Sequence, residues 1–86
     1  MAEYQLTIAR SAANELENLP SSVAERVRTK IRSLATTPWS HGSKKLRGSR
    51  NSWRIRIGDW CVLYEIDDAT KIVDIAAIRH RSDAYE

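Results

Sequence analysis

A single cysteine among 86 residues excludes an internal disulfide framework. No run is long and apolar enough to span a bilayer, and the opening MAEYQLTIARSA has no signal-peptide core. The expectation is therefore a cytoplasmic protein that does not engage a membrane. Metal chemistry lacks its ligands, since the one Cys and two His show no metal-ligand spacing. There is no glycine-rich phosphate loop and no nucleophile elbow, so no cofactor is expected. No internal repeat, low-complexity tract or linker divides the chain, and residues 1–86 read as one small domain with a modest core. Acid is also missing from one place. Residues 41–58 contain Lys44, Lys45, Arg47, Arg50, Arg54 and Arg56 with no Asp or Glu, although the whole chain is only +3. Such a block creates a local positive field that suits a nucleic acid or another polyanion, unless it is simply a solvated basic surface.

Apolar residues make up 42% of the chain, and their patterning marks a folded protein. The segment YQLTI (4–8) alternates like a short first strand. Ser11 is read as the N-cap of a helix that carries Leu16 and Leu19 on one face and ends at Pro20. A second helix is read from Ser22, with Glu25 at capping-box spacing. Val23, Val27, Ile31 and Leu34 form its apolar stripe, and Arg26, Arg28, Lys30 and Arg32 lie around the rest of its surface. The stretch 36–51 reads as loop, broken by Pro38, Gly42 and Gly48. Strands follow at about 52–57, 60–66 and 71–78. Gly58-Asp59 and residues 67–70 are the turns between them. The order β-α-α-β-β-β predicts an α+β fold, in which an N-terminal helical hairpin packs on one face of a small, mainly antiparallel, twisted sheet.

Arginines occupy alternate positions of NSWRIRIGDWCVLY (51–64). With Gly58-Asp59 as the turn, Ile57 faces Trp60, Ile55 faces Val62 and Trp53 faces Tyr64. With the next turn at Asp68-Ala69, Tyr64 faces Val73 and Val62 faces Ile75. That apolar face should cover the helices, leaving Arg54, Arg56, Cys61, Leu63, Glu65, Asp74 and Ala76 on the outer face. By the same parity His80 joins the arginine face and Arg79 falls on the core side. The alternative is a solvent-facing strand neutralised by Glu65 and Asp74. The tail IAAIRHRSDAYE can, however, fold over the outer face and bring Arg79, His80, Arg81 and Tyr85 to it.

Such a set suits phosphoryl chemistry. Guanidiniums bind phosphate bidentately and can stabilise charge on its non-bridging oxygens. RNA carries its own nucleophile, the 2′-hydroxyl, which needs activation, in-line alignment and protonation of the departing 5′ oxygen. His80 has the intrinsic pKa for either proton role. Tyr85 is a weaker base unless neighbouring cations favour its phenolate. No metal is required. Asp67-Asp68 reads as turn chemistry, His41 as loop surface and Cys61 as a small strand residue. Trp53, Trp60 and Tyr64 read as packing. Trp39 either covers a core edge or stacks on a base or partner.

The segment KKLRGSRNSWRIRIGDWCVLYEIDDATKIVDIAAIRHRSDAY resembles the second half of the RelE/ParE superfamily of type II toxins. The likeness lies in a K-L-R-G turn, an aromatic-R-I-R-x-G-D strand and turn, an aromatic-x-V-L-Y-E-I strand, an acidic turn and a closing H-R-x-D-x-Y. LTIARSAANELENLPSSVAERVRTKI fits the opening strand and helical hairpin, so the resemblance covers nearly the whole chain. It implies a toxin wrapped by a cognate antitoxin, through which the complex binds operator DNA. RelE-like members bind the ribosomal A site and cut mRNA by 2′-hydroxyl attack, without metal, leaving a cyclic phosphate. ParE-like members act on DNA gyrase.

By this resemblance Arg54 and Arg56 match the substrate-phosphate pair, which can include the general acid or base. Arg79 matches a transition-state arginine, with Arg81 competing for that role, and Tyr85 matches the terminal tyrosine that stacks on or activates substrate. His80 resembles a family histidine. Lys44, Lys45, Arg47 and Arg50 are expected to help bind RNA. Cys61 stands beside Arg56, where RelE-like sequences usually carry an arginine, so the resemblance implies one fewer cation at the phosphate. Three readings follow: a ribosome-dependent mRNA endoribonuclease, a gyrase inhibitor, and a catalytically weakened toxin whose main partner is its antitoxin.

Overall fold

In the computed structural model, which describes residues 3–39 and 42–84, the elements follow the expected order with two additions. They are β1 (Gln5–Ile8), α1 (Arg10–Glu17), α2 (Ser21–Ser33), β2 (Ser43–Lys45), β3 (Ser52–Ile57), β4 (Trp60–Asp67), β5 (Ile72–His80) and α3 (Arg81–Ala84). The strands form one sheet in the order β1-β5-β4-β3-β2. Only β1 runs parallel to its neighbour, and the other pairings are antiparallel. The fold class is the α+β arrangement expected. The stretch 36–51 is not all loop, because Ser43, Lys44 and Lys45 pair with Ile55, Arg54 and Trp53 as an edge strand. A three-residue strand at an edge carries too little alternation to stand out in sequence.

Both helix starts differ from the capping expected. Ala9 is the N-cap of α1 and Pro20 that of α2, neither with a side-chain cap, so Ser11 and Ser22 sit inside the first turns. Tertiary contacts substitute for the caps. The Ala9 N–H donates to the Ile75 carbonyl at 2.9 Å, which fixes the start of α1 against the sheet. Pro20 pre-sets the entry to α2, and its carbonyl accepts the Ala24 N–H at 2.8 Å.

The helices cover one sheet face, where Ala12, Ala24, Val27 and Leu34 pack against Ile55, Val62, Tyr64 and Ile75. Tyr64 is almost fully buried at 1% exposure, and its hydroxyl donates to the Pro38 carbonyl at 2.9 Å. That bond ties the loop before β2 to the centre of the sheet. Trp39, half exposed, meets the Tyr4 ring edge-on at 5.8 Å and so covers a core edge. The turn after β4 is held by Asp67, whose Oδ1 accepts the N–H groups of Ala69 and Thr70.

Burial pushes the Tyr64 phenol up from 10.0, a pull that a hydrogen bond involving Ser43 partly offsets. The folded chain therefore holds the neutral phenol more tightly than the unfolded chain does. The contribution is intact below 10.0 and is lost as pH rises from there through the folded value. Tyr64→Phe should remove that alkaline loss, and at neutral pH it should cost about 1 kcal/mol for the hydroxyl's hydrogen bond. Urea midpoints measured on both sides of 10.0 check this.

Candidate phosphate-binding site

The register of β3 on β4 is the one expected, with Trp53↔Tyr64, Ile55↔Val62 and Ile57↔Trp60. The register of β4 on β5 is not. Tyr64 faces Ile75 and Val62 faces Ile78, rather than Val73 and Ile75. Leu63 faces Ala77 rather than Asp74, and the ladder shifts between Leu63 and Tyr64, so Ala76 is left as an extra residue. This bulge reverses the parity of the end of β5. Arg79 now lines up with Cys61 and Arg56 on the outer side, whereas His80 lines up with Trp60 and Ile57 on the other. The expected faces of Arg79 and His80 are thus exchanged. The parity switch is written in IVDIAAIRH, where the apolar positions move from Val73 and Ile75 to Ile78 across an Ala-Ala pair.

On the outer face Lys44 stands opposite Arg54, one step along from Arg56. These three side chains, with Gly42, line a cavity of about 130 Å³. The ladder explains the convergence: β2 and β3 are hydrogen-bonded neighbours, and alternate residues on each share a face. The bare backbone at Gly42, with φ of +94°, lines the mouth without adding a side chain. The volume suits a phosphate-sized group held by several charge-assisted contacts. Arg56 is exposed, and its Nε–H donates to the Gly58 carbonyl at 3.0 Å, which anchors the guanidinium at the β3–β4 turn.

The other basic residues are dispersed. Lys45 pairs with Trp53 and so lies on the opposite side of the edge strand. Arg47 and Arg50 are exposed in the turn between β2 and β3. Cys61 lies in the row between Arg56 and Arg79 but has 0% exposure, so its thiol does not face a ligand, and its place is in the packing. Tyr85 and His41 lie outside the described residues.

Both candidate C-terminal arginines are paired with carboxylates. The Arg79 Nη1 donates to Glu15 Oε2, and Glu15 Oε1 accepts the Ile78 N–H at 2.8 Å. Glu15 of α1 therefore clamps the free edge of β5 where β1 no longer covers it. Arg81 Nε lies 3.9 Å from Asp59, and the Arg81 N–H donates to the Asp59 carbonyl at 2.7 Å. His80 meets the Trp60 ring edge-on at 5.0 Å, with Nδ1 3.0 Å from the Ser82 hydroxyl. Arg79 and His80 line a cavity with Glu15 and Asn18, separate from the one at Arg54. One strand, β4, lies between Arg56 and Arg79, which puts their backbones two strand spacings, about 10 Å, apart. The single cluster expected from the sequence is thus two groups. Glu15 was missed because its partner lies in a distant segment, and nothing in the spacing of α1 announces it.

The comparison with known families decides the kinship: residues 6–85 match the ParE toxin family of type II toxin–antitoxin systems, the parDE type. The chain belongs to that family. The RelE1 protein of Methanocaldococcus jannaschii is 29% identical over 98% of this chain and 97% of its own length. The toxin also superposes on RelE of the Pyrococcus horikoshii RelE–RelB complex, with TM-score 0.82, 25% identity, and coverage of 98% and 100% of the two chains. A chain of the Mycobacterium tuberculosis RelBE2 toxin–antitoxin complex gives TM-score 0.81 at 27% identity, covering 92% of this toxin and 99% of that chain. The RelE/ParE kinship expected from the motifs is therefore established. Among the described residues of the toxin, no helix is long and apolar enough to cross a membrane.

The Glu15 clamp makes a prediction of its own. Glu15→Ala should lower stability by about 1 kcal/mol, the worth of a charge-assisted contact reduced by the pair's partial exposure. At this chain length that is a fall in Tm of about 4–8 °C. Glu15→Gln, which keeps an acceptor for the Ile78 N–H, should lose less. Thermal melts of both variants test the ranking.

Proposed function

We propose that this toxin stops translation by cutting mRNA on the ribosome, and that a cognate antitoxin neutralises it by covering the basic outer face. The observation that carries the reading is the Lys44–Arg54–Arg56 cavity, three cations from two paired strands around a phosphate-sized space. Relatives solved as toxin–antitoxin complexes with RelB support the antitoxin partner. In the proposed reaction the 2′-hydroxyl oxygen attacks the adjacent phosphorus as its proton passes to a base. The O2′–P bond forms, the P–O5′ bond breaks, and the departing 5′ oxygen takes up a proton. The products are a cyclic phosphate and a free 5′-hydroxyl. Lys44, Arg54 and Arg56 bind the phosphate and offset the charge that grows on its oxygens. His80, on the Trp60 side of β5, is not the proton carrier in this arrangement, and Tyr85 is proposed for that role. Among the described residues that line the cavity none is acidic, so binding there should weaken steeply with salt. The test is cleavage of mRNA on programmed cognate ribosomes beside the same RNA free in solution. Cutting only in the first is expected, and none in either at high toxin concentration contradicts the reading.

A second reading has its own observation. Arg79 and Arg81 are both engaged by carboxylates, and Cys61 is buried where a further cation would stand. This favours a toxin without nuclease activity that acts on DNA gyrase as a protein target. Inhibited supercoiling with translation untouched would select it.

A further inference from the structure

We infer that the groove between α2 and the β3–β4 turn is a second phosphate site, which takes the RNA backbone next to the phosphate held at Arg54. The inference rests on the RNA-binding reading above and extends it to residues that reading does not use. The groove has a volume of about 570 Å³, and Arg26, Lys30 and Arg56 contribute its cations. Arg56 also lines the cavity with Lys44 and Arg54, so the two concave regions adjoin around the free edge of β3.

The turn gathers the charge. Gly58 has φ of +62°, and the Arg26 Nη2 lies 3.2 Å from where a Cβ would stand. The missing side chain lets that guanidinium lie against the turn, while Arg56 approaches the same residue through its carbonyl. Asp59, the acid of the turn, is engaged by Arg81. Among the described residues none of the ion pairs includes Arg26, Lys30 or Arg56. Glu25 also lines the groove and offsets part of the field, but it lies beyond ion-pairing distance of these cations. The Thr29 hydroxyl donates to the Glu25 carbonyl and the Ser33 hydroxyl to the Lys30 carbonyl, so neither adds a donor for an anion. What remains is three like charges drawn together in one concave surface, an arrangement that a bound anion relieves. A polymer anion fits better than a free one, because it can occupy the cavity and the groove at once.

The test is fluorescence anisotropy with uncleavable 2′-O-methyl RNA, as a trinucleotide and as a nonanucleotide, across a salt series. Arg26→Ala/Lys30→Ala should leave trinucleotide binding unchanged. It should make the nonanucleotide's log–log salt slope shallower by about 1.4, or about 0.7 for each lost single-strand phosphate contact. Lys30→Glu provides a second variant should the double substitution unfold, and it should weaken the nonanucleotide selectively. A salt slope equal to that of the parent toxin overturns the inference, as does an equal loss for both lengths. A changed effect on gyrase with RNA binding intact overturns it in favour of a protein contact. Lys44→Ala/Arg54→Ala serves as the control. If it weakens neither RNA, the RNA-binding reading itself fails, whatever the groove does.

Discussion

If the proposed reaction holds, Arg54→Ala should lower mRNA cutting on programmed ribosomes by about 10²–10³-fold, the scale of removing one preorganised charge-stabilising donor. Arg54 is chosen because its neighbours define its task. It faces Lys44 on one strand and Leu63 on the other, on the sheet face away from the helices. Its guanidinium lines the cavity with Lys44 and Arg56, so its loss removes a contact from the middle of the cationic set. The core does not depend on it: Ile55 and Val62 pack on the opposite face and keep their contacts. The melting temperature should therefore move little. Single-turnover cleavage beside a thermal melt separates the two effects. A loss of activity matched by unfolding would return Arg54 to a structural role. Arg54→Lys should restore only part of the rate, because an ammonium keeps the charge but not the bidentate fork.

Tyr64→Ala should unfold much of the protein at physiological temperature. The ring is the largest fully buried side chain among the described residues, placed between Trp53 of β3 and Ile75 of β5. Large-to-small changes at buried aromatic positions cost about 3–5 kcal/mol, counting lost transfer energy and the remaining cavity. The Pro38 carbonyl also loses its donor, which loosens the loop leading into β2. Since β2 supplies Lys44, that loosening reaches the cavity as well. Small domains hold only about 5–15 kcal/mol in all, so this single change removes a large share. Urea unfolding should show a midpoint far below that of Tyr64→Phe, and the gap between the two variants measures the ring without the hydroxyl. A near-wild-type midpoint for Tyr64→Ala would mean the core closes over the space.

The contrast between the hairpin and the end of β5 shows where sequence reasoning carried and where it stopped. Gly58-Asp59 fixed the turn, and strict alternation through Arg54, Ile55, Arg56 and Ile57 then set the register residue by residue. Parity at the end of β5 depended on a bulge, and one extra residue turns every following side chain over. The Ala76-Ala77 pair marks the place, but two small residues permit either parity. β2 was hidden by its length and its lack of apolar residues. Trp39 and Asp67 took the roles that their surroundings suggested. The ion pairs of Arg79 with Glu15 and of Arg81 with Asp59 lie beyond periodicity, because each joins segments that meet only in the folded chain. They divide a set of arginines that looked continuous in the sequence.

The central claim is that Lys44, Arg54 and Arg56 hold one phosphate together. It is tested most directly by recording the arginine Nε–H resonances of the toxin while a 2′-O-methyl trinucleotide is added. The account predicts that Arg54 and Arg56 shift together along one saturating curve, and that Lys44→Ala weakens that curve for both. Shifts confined to Arg79 or Arg81, with Arg54 and Arg56 unmoved at saturation, would contradict it.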